Sequence, residues 1–149
     1  MAKPWETVVA ISDPEDRRTL AKILGQLGLD AMCVGTFGQC RELLDKGEVR
    51  LVFSSEYFPD GDFRALLTAS QGRTLGASVI VTSSRILQRP DEAIRLGAFD
   101  VIGVPFRPTD VEWAVIKASR SREALAEAKL ASPLASPANR FENLARHAS

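Results

Sequence analysis

The stretch Val8-Val9-Ala10-Ile11-Ser12-Asp13-Pro14 begins in apolar residues and ends in turn formers. Its apolar part, Thr7 to Ile11, is a short run of β-branched and small residues, the pattern of a buried strand. The next residues read as a helix start: Asp13 suits the N-cap, Pro14 the first helical position, and Glu15 and Asp16 the first turn, where carboxylates meet the positive end of the helix dipole. Leu20, Ile23, Leu24 and Leu27 then recur at helical spacing, and Gly28 is placed to stop the helix. The unit is a strand, a loop and an amphipathic helix.

The same alternation recurs outward from it. Ala31 to Val34 reads as a second strand, with Cys40, Leu43 and Leu44 on a short helix after it. Val49 to Ser54 is a third, followed by a helix bearing Phe63, Leu66 and Leu67 that Asp62 is placed to cap. Ser78 to Thr82 is a fourth, followed by a loop through Arg85 and Pro90 and a helix from Asp91 to Leu96. Val101 to Val104 is a fifth, and Thr109-Asp110-Val111-Glu112 reads as a capping box opening the last helix. Five such units in series imply an α/β fold with a five-stranded parallel sheet, because each right-handed crossover carries its helix back over one face. The near-continuous apolar strands imply that both faces are covered.

The last helix is long. From Asp110 to Leu130 the chain has no further proline or glycine, enough for ~30 Å at 1.5 Å per residue. Val111, Ala114, Val115 and Ala118 suit packing on the sheet, whereas Ala124, Leu125 and Ala128 form a narrow apolar stripe beyond it. An isolated overhang of that length is marginal in water, so a homodimer through the last helix is expected; burial by the chain's own Phe141 and Leu144 is the alternative. The expected organisation is a domain over 1–120, a helical extension over 121–131, and a Pro/Ser/Ala linker and tail over 132–149.

Composition narrows the function classes. Apolar residues make up 45% of the 149 and charged residues 26%, the balance of an ordinary globular protein. Nineteen basic residues against nineteen acidic ones give no overall field for nucleic acid or an anionic membrane, and no apolar run approaches a membrane span. No direct nucleic-acid or membrane partner is expected, and a cytoplasmic location is. Cys33 and Cys40 fit neither a disulfide framework nor a metal site, and are expected to be reduced packing residues. The single histidine, His147, lies in the tail, so neither a metal cluster nor a Ser/His/Asp set is expected. No cofactor is expected either.

The order of elements and several strings, Val8 to Pro14, Pro59 with Asp62, Leu96-Gly97-Ala98-Phe99-Asp100, and Val104-Pro105-Phe106, resemble the receiver domain of bacterial two-component response regulators. The resemblance covers Glu6 to Arg120 and implies the flavodoxin-like doubly wound (β/α)5 receiver fold. It implies a site at the carboxyl ends of the strands: an acidic pair for Mg²⁺ after the first strand, an aspartate nucleophile after the third, a Thr or Ser after the fourth, and a lysine before the proline after the fifth. It also implies a cis peptide at Val104-Pro105.

Matched residue by residue, that pocket is degenerate. Ile11 and Ser12 fall on the acidic pair, Ser55 on the nucleophile and Val104 on the lysine; only the hydroxyl position, Ser83 or Thr82, is kept. Glu56 adjoins Ser55, but strand alternation predicts that it points to the other face. The resemblance therefore implies an atypical receiver in signal transduction that is not phosphorylated, is no enzyme and acts through a protein partner. Its expected contact surface includes Arg95, Val101, Trp113, Ile116, Lys117 and Arg120; helical spacing turns Trp113 away from the core stripe, which leaves it either exposed as an interface anchor or packed against the fourth helix. Two other readings stay open: the N-terminal receiver of a transcriptional regulator whose output domain lies outside this sequence, and an unrelated flavodoxin-like enzyme.

Overall fold

The computed structural model of the chain describes residues 6–46, 49–71, 77–83 and 90–131. The expected linker and tail over 132–149, His147 within it, and the loop residue Arg85 lie outside the described residues.

Strand β1 (Glu6–Ala10) leads through Ser12 into α1 (Pro14–Gln26), and β2 (Ala31–Val34) into α2 (Phe37–Asp45). After β3 (Val49–Ser55) comes a two-stranded antiparallel hairpin, β4 (Tyr57–Phe58) and β5 (Gly61–Asp62), before α3 (Phe63–Gln71). The remaining elements are β6 (Ser78–Ser83), α4 (Pro90–Arg95), β7 (Asp100–Gly103) and α5 (Pro108–Ala131). The five long strands form one parallel sheet in the order β2-β1-β3-β6-β7. The chain divides into two compact units, one through Val115 and one from Ile116, and α5 passes from the first into the second.

The helix ends follow from local chemistry. Asp13 caps α1, its carboxylate accepting from the Asp16 N–H at 2.9 Å, with Pro14 at the first position. The helix closes in a Schellman motif: Gly28, at φ +86°, donates to the Gly25 carbonyl and Leu29 donates to the Leu24 carbonyl. Helix α4 ends the same way, with Gly97 at φ +116° and Ala98 donating to the Ala93 carbonyl. A Cβ on Gly97 would also collide with Gln71 Nε2, which donates to the Leu96 carbonyl at 2.7 Å. The expected capping box does not form around Thr109, because Pro108 already occupies the first turn of α5.

Alternation along the strands splits the core between two faces. Val8, Ala10, Val52, Val79 and Val81 belong to a cluster with Cys40, Leu44, Phe63, Leu66, Leu67 and Ala93 from α2, α3 and α4. Their neighbours Val9, Leu51, Phe53 and Ile80 point the other way and are also fully buried, as are Leu20 and Leu24 of α1. Both faces are thus covered over β1, β3 and β6. Edge strand β2 departs from this, exposing Met32 and Cys33. The expectation that both cysteines pack inside therefore holds only for Cys40, whose thiol burial pushes up to about 12.

Candidate functional site

The carboxyl ends of β1, β3 and β6 converge on a cluster of hydroxyls. Ile11, immediately after β1, is buried, and its N–H donates to the Val34 carbonyl at 3.1 Å. Ser12 donates twice, its N–H to Ser55 Oγ at 2.9 Å and its hydroxyl to the Tyr57 carbonyl at 3.2 Å. Ser54 Oγ donates to the Ser55 carbonyl at 2.8 Å, and Thr82 Oγ1 to the Ser54 carbonyl at 3.2 Å. Ser83 Oγ donates to Glu56 Oε1 at 2.9 Å, while the Ser83 carbonyl accepts from the Val104 N–H at 2.8 Å. Val104 is half-buried and its bond to Pro105 is cis. Ile11, Ser12, Ser55, Ser83 and Val104 thus lie at one end of the sheet, where Ser12 is bonded to Ser55, and Ser83 to both Glu56 and Val104.

Glu56 corrects the reading by alternation. Strand β3 ends at Ser55, so the two-residue period lapses there, and Glu56 turns its carboxylate toward β6 instead of away from the pocket. Its backbone is fixed by the Phe63 N–H, which donates to the Glu56 carbonyl at 3.0 Å at the start of α3.

The segment between β3 and α3 also caps two helices. Asp60 accepts from the Phe37 and Gly38 N–H groups at 2.9 Å each, and Thr36 Oγ1 accepts from Gln39 N–H at 3.1 Å, satisfying the first donors of α2. The Gly38 and Phe37 donors hold the Asp60 carboxyl below the usual carboxylate range. Asp62 accepts from Arg64 and Ala65 N–H groups at 3.0 and 3.3 Å, capping α3 as expected. Sequence reasoning missed Arg17, whose guanidinium donates to the Ile11 carbonyl at 2.8 Å; a Cβ on Gly35 would meet that guanidinium, so the glycine leaves it room.

Chemically, the cluster is poor in nucleophilic and metal-binding power. Ser55 is buried and its hydroxyl already accepts a hydrogen bond from the Ser12 N–H, while the neighbouring Glu56 carboxylate is engaged by Ser83 Oγ. Among the described residues no group of three or more His, Cys, Asp or Glu could hold a metal ion. A separate groove of about 500 Å³ between β2 and α2, lined by Met32, Val34 and Leu43 among others, lies at the β2 edge of the sheet and holds none of these residues.

The expected contact residues lie on α4, β7 and α5. Arg95 is exposed at the end of α4, and Val101 is half-buried on edge strand β7, packed against the core cluster. Trp113 on α5 is 59% exposed between buried Val111 and Ala114, and Ile94 and Leu96 are also exposed. Further along α5, Ile116 is half-buried and Lys117 and Arg120 are exposed.

No protein-family model matches this sequence, and no curated protein does. The backbone does have counterparts among solved structures. A putative response regulator from Chloroflexus aurantiacus J-10-fl superposes with a TM-score of 0.71 at 16% identity, over 78% of this chain and 98% of that one. The receiver domain of NtrX from Brucella abortus gives a TM-score of 0.69 at 23% identity, over 75% and 96%. The beryllofluoride-activated NtrC4 receiver domain dimer gives 0.69 at 18% identity, over 76% and 94%. The chain has the receiver fold. In this receiver fold the hydroxyl cluster lies where open α/β sheets place their ligands, at the carboxyl ends of the strands.

Proposed function

We propose that this chain is a signalling receiver that works without phosphorylation, through contact with a protein partner. The observation that carries the reading is the hydrogen bond from the Ser12 N–H to Ser55 Oγ, 2.9 Å long. It commits the residue at the nucleophile position to holding the β1–α1 loop against β3. The surroundings support the same reading: Ile11 is buried at one acidic position, Ser12 stands at the other, and Val104 brings no positive charge. Without the pair of carboxylates for Mg²⁺ after the first strand and a lysine to balance a dianion, acyl-phosphate formation lacks the electrostatic support a receiver gives it. The proposed contact surface is Arg95, Val101, Trp113, Ile116, Lys117 and Arg120, with a homodimer through the last helix; that the NtrC4 receiver, in its beryllofluoride-activated state, is a dimer supports self-association of this fold and does not bear on the face used. No described helix is long and apolar enough to cross a membrane.

Intact mass spectrometry after incubation with acetyl phosphate and Mg²⁺ tests the proposal. The unmodified mass is the expected result. An 80 Da adduct that maps to the end of β3 and is released by hydroxylamine overturns it.

A further inference from the structure

Glu56 lies one position past the end of β3, beside the serine that replaces the nucleophile, and accepts from the buried Ser83 hydroxyl at 2.9 Å. A hydroxyl donating to an ionised carboxylate makes a charge-assisted bond, roughly twice as strong as a neutral one. The Ser83 carbonyl takes the Val104 N–H at 2.8 Å, at the turn from β7 into α5. Two hydrogen bonds in series therefore connect the Glu56 side chain to that turn. Glu56 itself is anchored, because its carbonyl receives the Phe63 N–H at the start of α3, where Asp62 also caps.

We propose that Glu56 is a positioning residue that supplies the pocket with a fixed negative charge where an acyl-phosphate would otherwise place one. It holds Ser83, and through Ser83 the β7-to-α5 turn, in one state with no phosphodonor. This rests on the reading of the pocket as unphosphorylated and adds what sets its state. Val104 is consistent with it: a singly charged carboxylate held by a hydroxyl does not require the lysine that a dianion among metal ligands requires.

Amide hydrogen exchange followed by NMR on the whole chain tests this, with the Val52 amide in the central strand β3 as the control for an intact fold. Glu56→Ala is expected to speed exchange of the Val104 amide about tenfold while Val52 is unchanged. Glu56→Gln, which keeps an acceptor without the charge, is expected to fall between wild type and Glu56→Ala. In a Ser83→Ala background, adding Glu56→Ala is expected to change Val104 exchange by less than about twofold, since the relay is already broken. A Val104 amide unaffected by Glu56→Ala, or a full tenfold effect persisting without the Ser83 hydroxyl, overturns the proposal. If Glu56→Ala does not fold, Glu56→Gln decides, and wild-type exchange at Val104 in that variant overturns the role of charge. An 80 Da adduct on the wild-type chain would remove the unphosphorylated reading and leave the exchange result intact, whereas an unmoved Val104 amide would remove only the Glu56 relay.

Discussion

The loop end of β1, β3 and β6 and the helices on either side of β7 in the chain treat their side chains in opposite ways. At the loop end, the polar groups face inward and pair with one another: Ser12 with Ser55 and the Tyr57 carbonyl, Thr82 with the Ser54 carbonyl, Ser83 with Glu56. On α4, just after it and on α5, large apolar groups are left facing out: Ile94 at 46%, Leu96 at 41% and Trp113 at 59% exposure. Where donors and acceptors already pair with one another, a ligand must replace an existing bond to engage them. Exposed apolar side chains gain on association, and an exposed Trp is a common anchor. The contrast teaches that a receiver fold can pair the polar groups at its strand ends with one another while leaving large apolar groups exposed at its helices.

The comparison breaks most sharply if the loop end proves to be open to water. Ile11→Asp restores a carboxylate at the position matched to the acidic pair, but Ile11 is 3% exposed. A carboxylate there loses its hydration, and the Arg17 guanidinium at that residue is already taken by the Ile11 carbonyl, so the substitution is expected to cost about 3 kcal/mol in urea unfolding. A cost under about 0.5 kcal/mol, the range of ordinary surface changes, would show that the site is solvated and still able to accept a cation.

A smaller effect sharpens the role of the serine. Ser55→Ala removes the acceptor for the Ser12 N–H, leaving a part-buried donor without that partner. The expected loss is about 1–2 kcal/mol, and the Ser12 amide resonance should be among those that shift most. Unchanged stability together with an unchanged Ser12 amide would mean that the hydroxyl does not hold the loop and is free for other chemistry.

Much of this is legible in the residues. The strands lie within a residue of where the apolar runs place them, Asp13 and Asp62 cap as their positions imply, and Gly28 ends α1 because only a residue tolerant of positive φ fits there. The rest escapes because local pattern does not encode it. Alternation misplaces Glu56 because it holds inside a strand, and β3 stops one residue earlier. The β4–β5 hairpin has two residues per strand, too few to show a period. Cys33 is exposed because β2 is an edge, and strand order is a property of the whole chain rather than of Ala31 to Val34. Arg17 reaches the Ile11 carbonyl beside Gly35, which has no side chain to crowd the guanidinium, a contact between segments that helical spacing does not reveal.

The smallest effect on stability should accompany the clearest effect on association. Trp113 is exposed, so Trp113→Ala is expected to change unfolding free energy by no more than about 0.5 kcal/mol. Yet Trp113, Ile116, Lys117 and Arg120 recur at the three- and four-residue steps that place side chains on one face of a helix, and α5 continues to Ala131. If that helix pairs with a second copy, the Trp contributes an anchor, and its removal should weaken association by about tenfold or more. Light scattering over a concentration series, on wild type, Trp113→Ala and a chain ending at Arg120, reads this directly. A wild-type dimer that weakens in Trp113→Ala and is lost on truncation is the expected result. Monomers at every concentration would reject pairing through α5. Loss of helicity on truncation with no change in oligomeric state would instead favour burial of the helix by the chain's own Phe141 and Leu144.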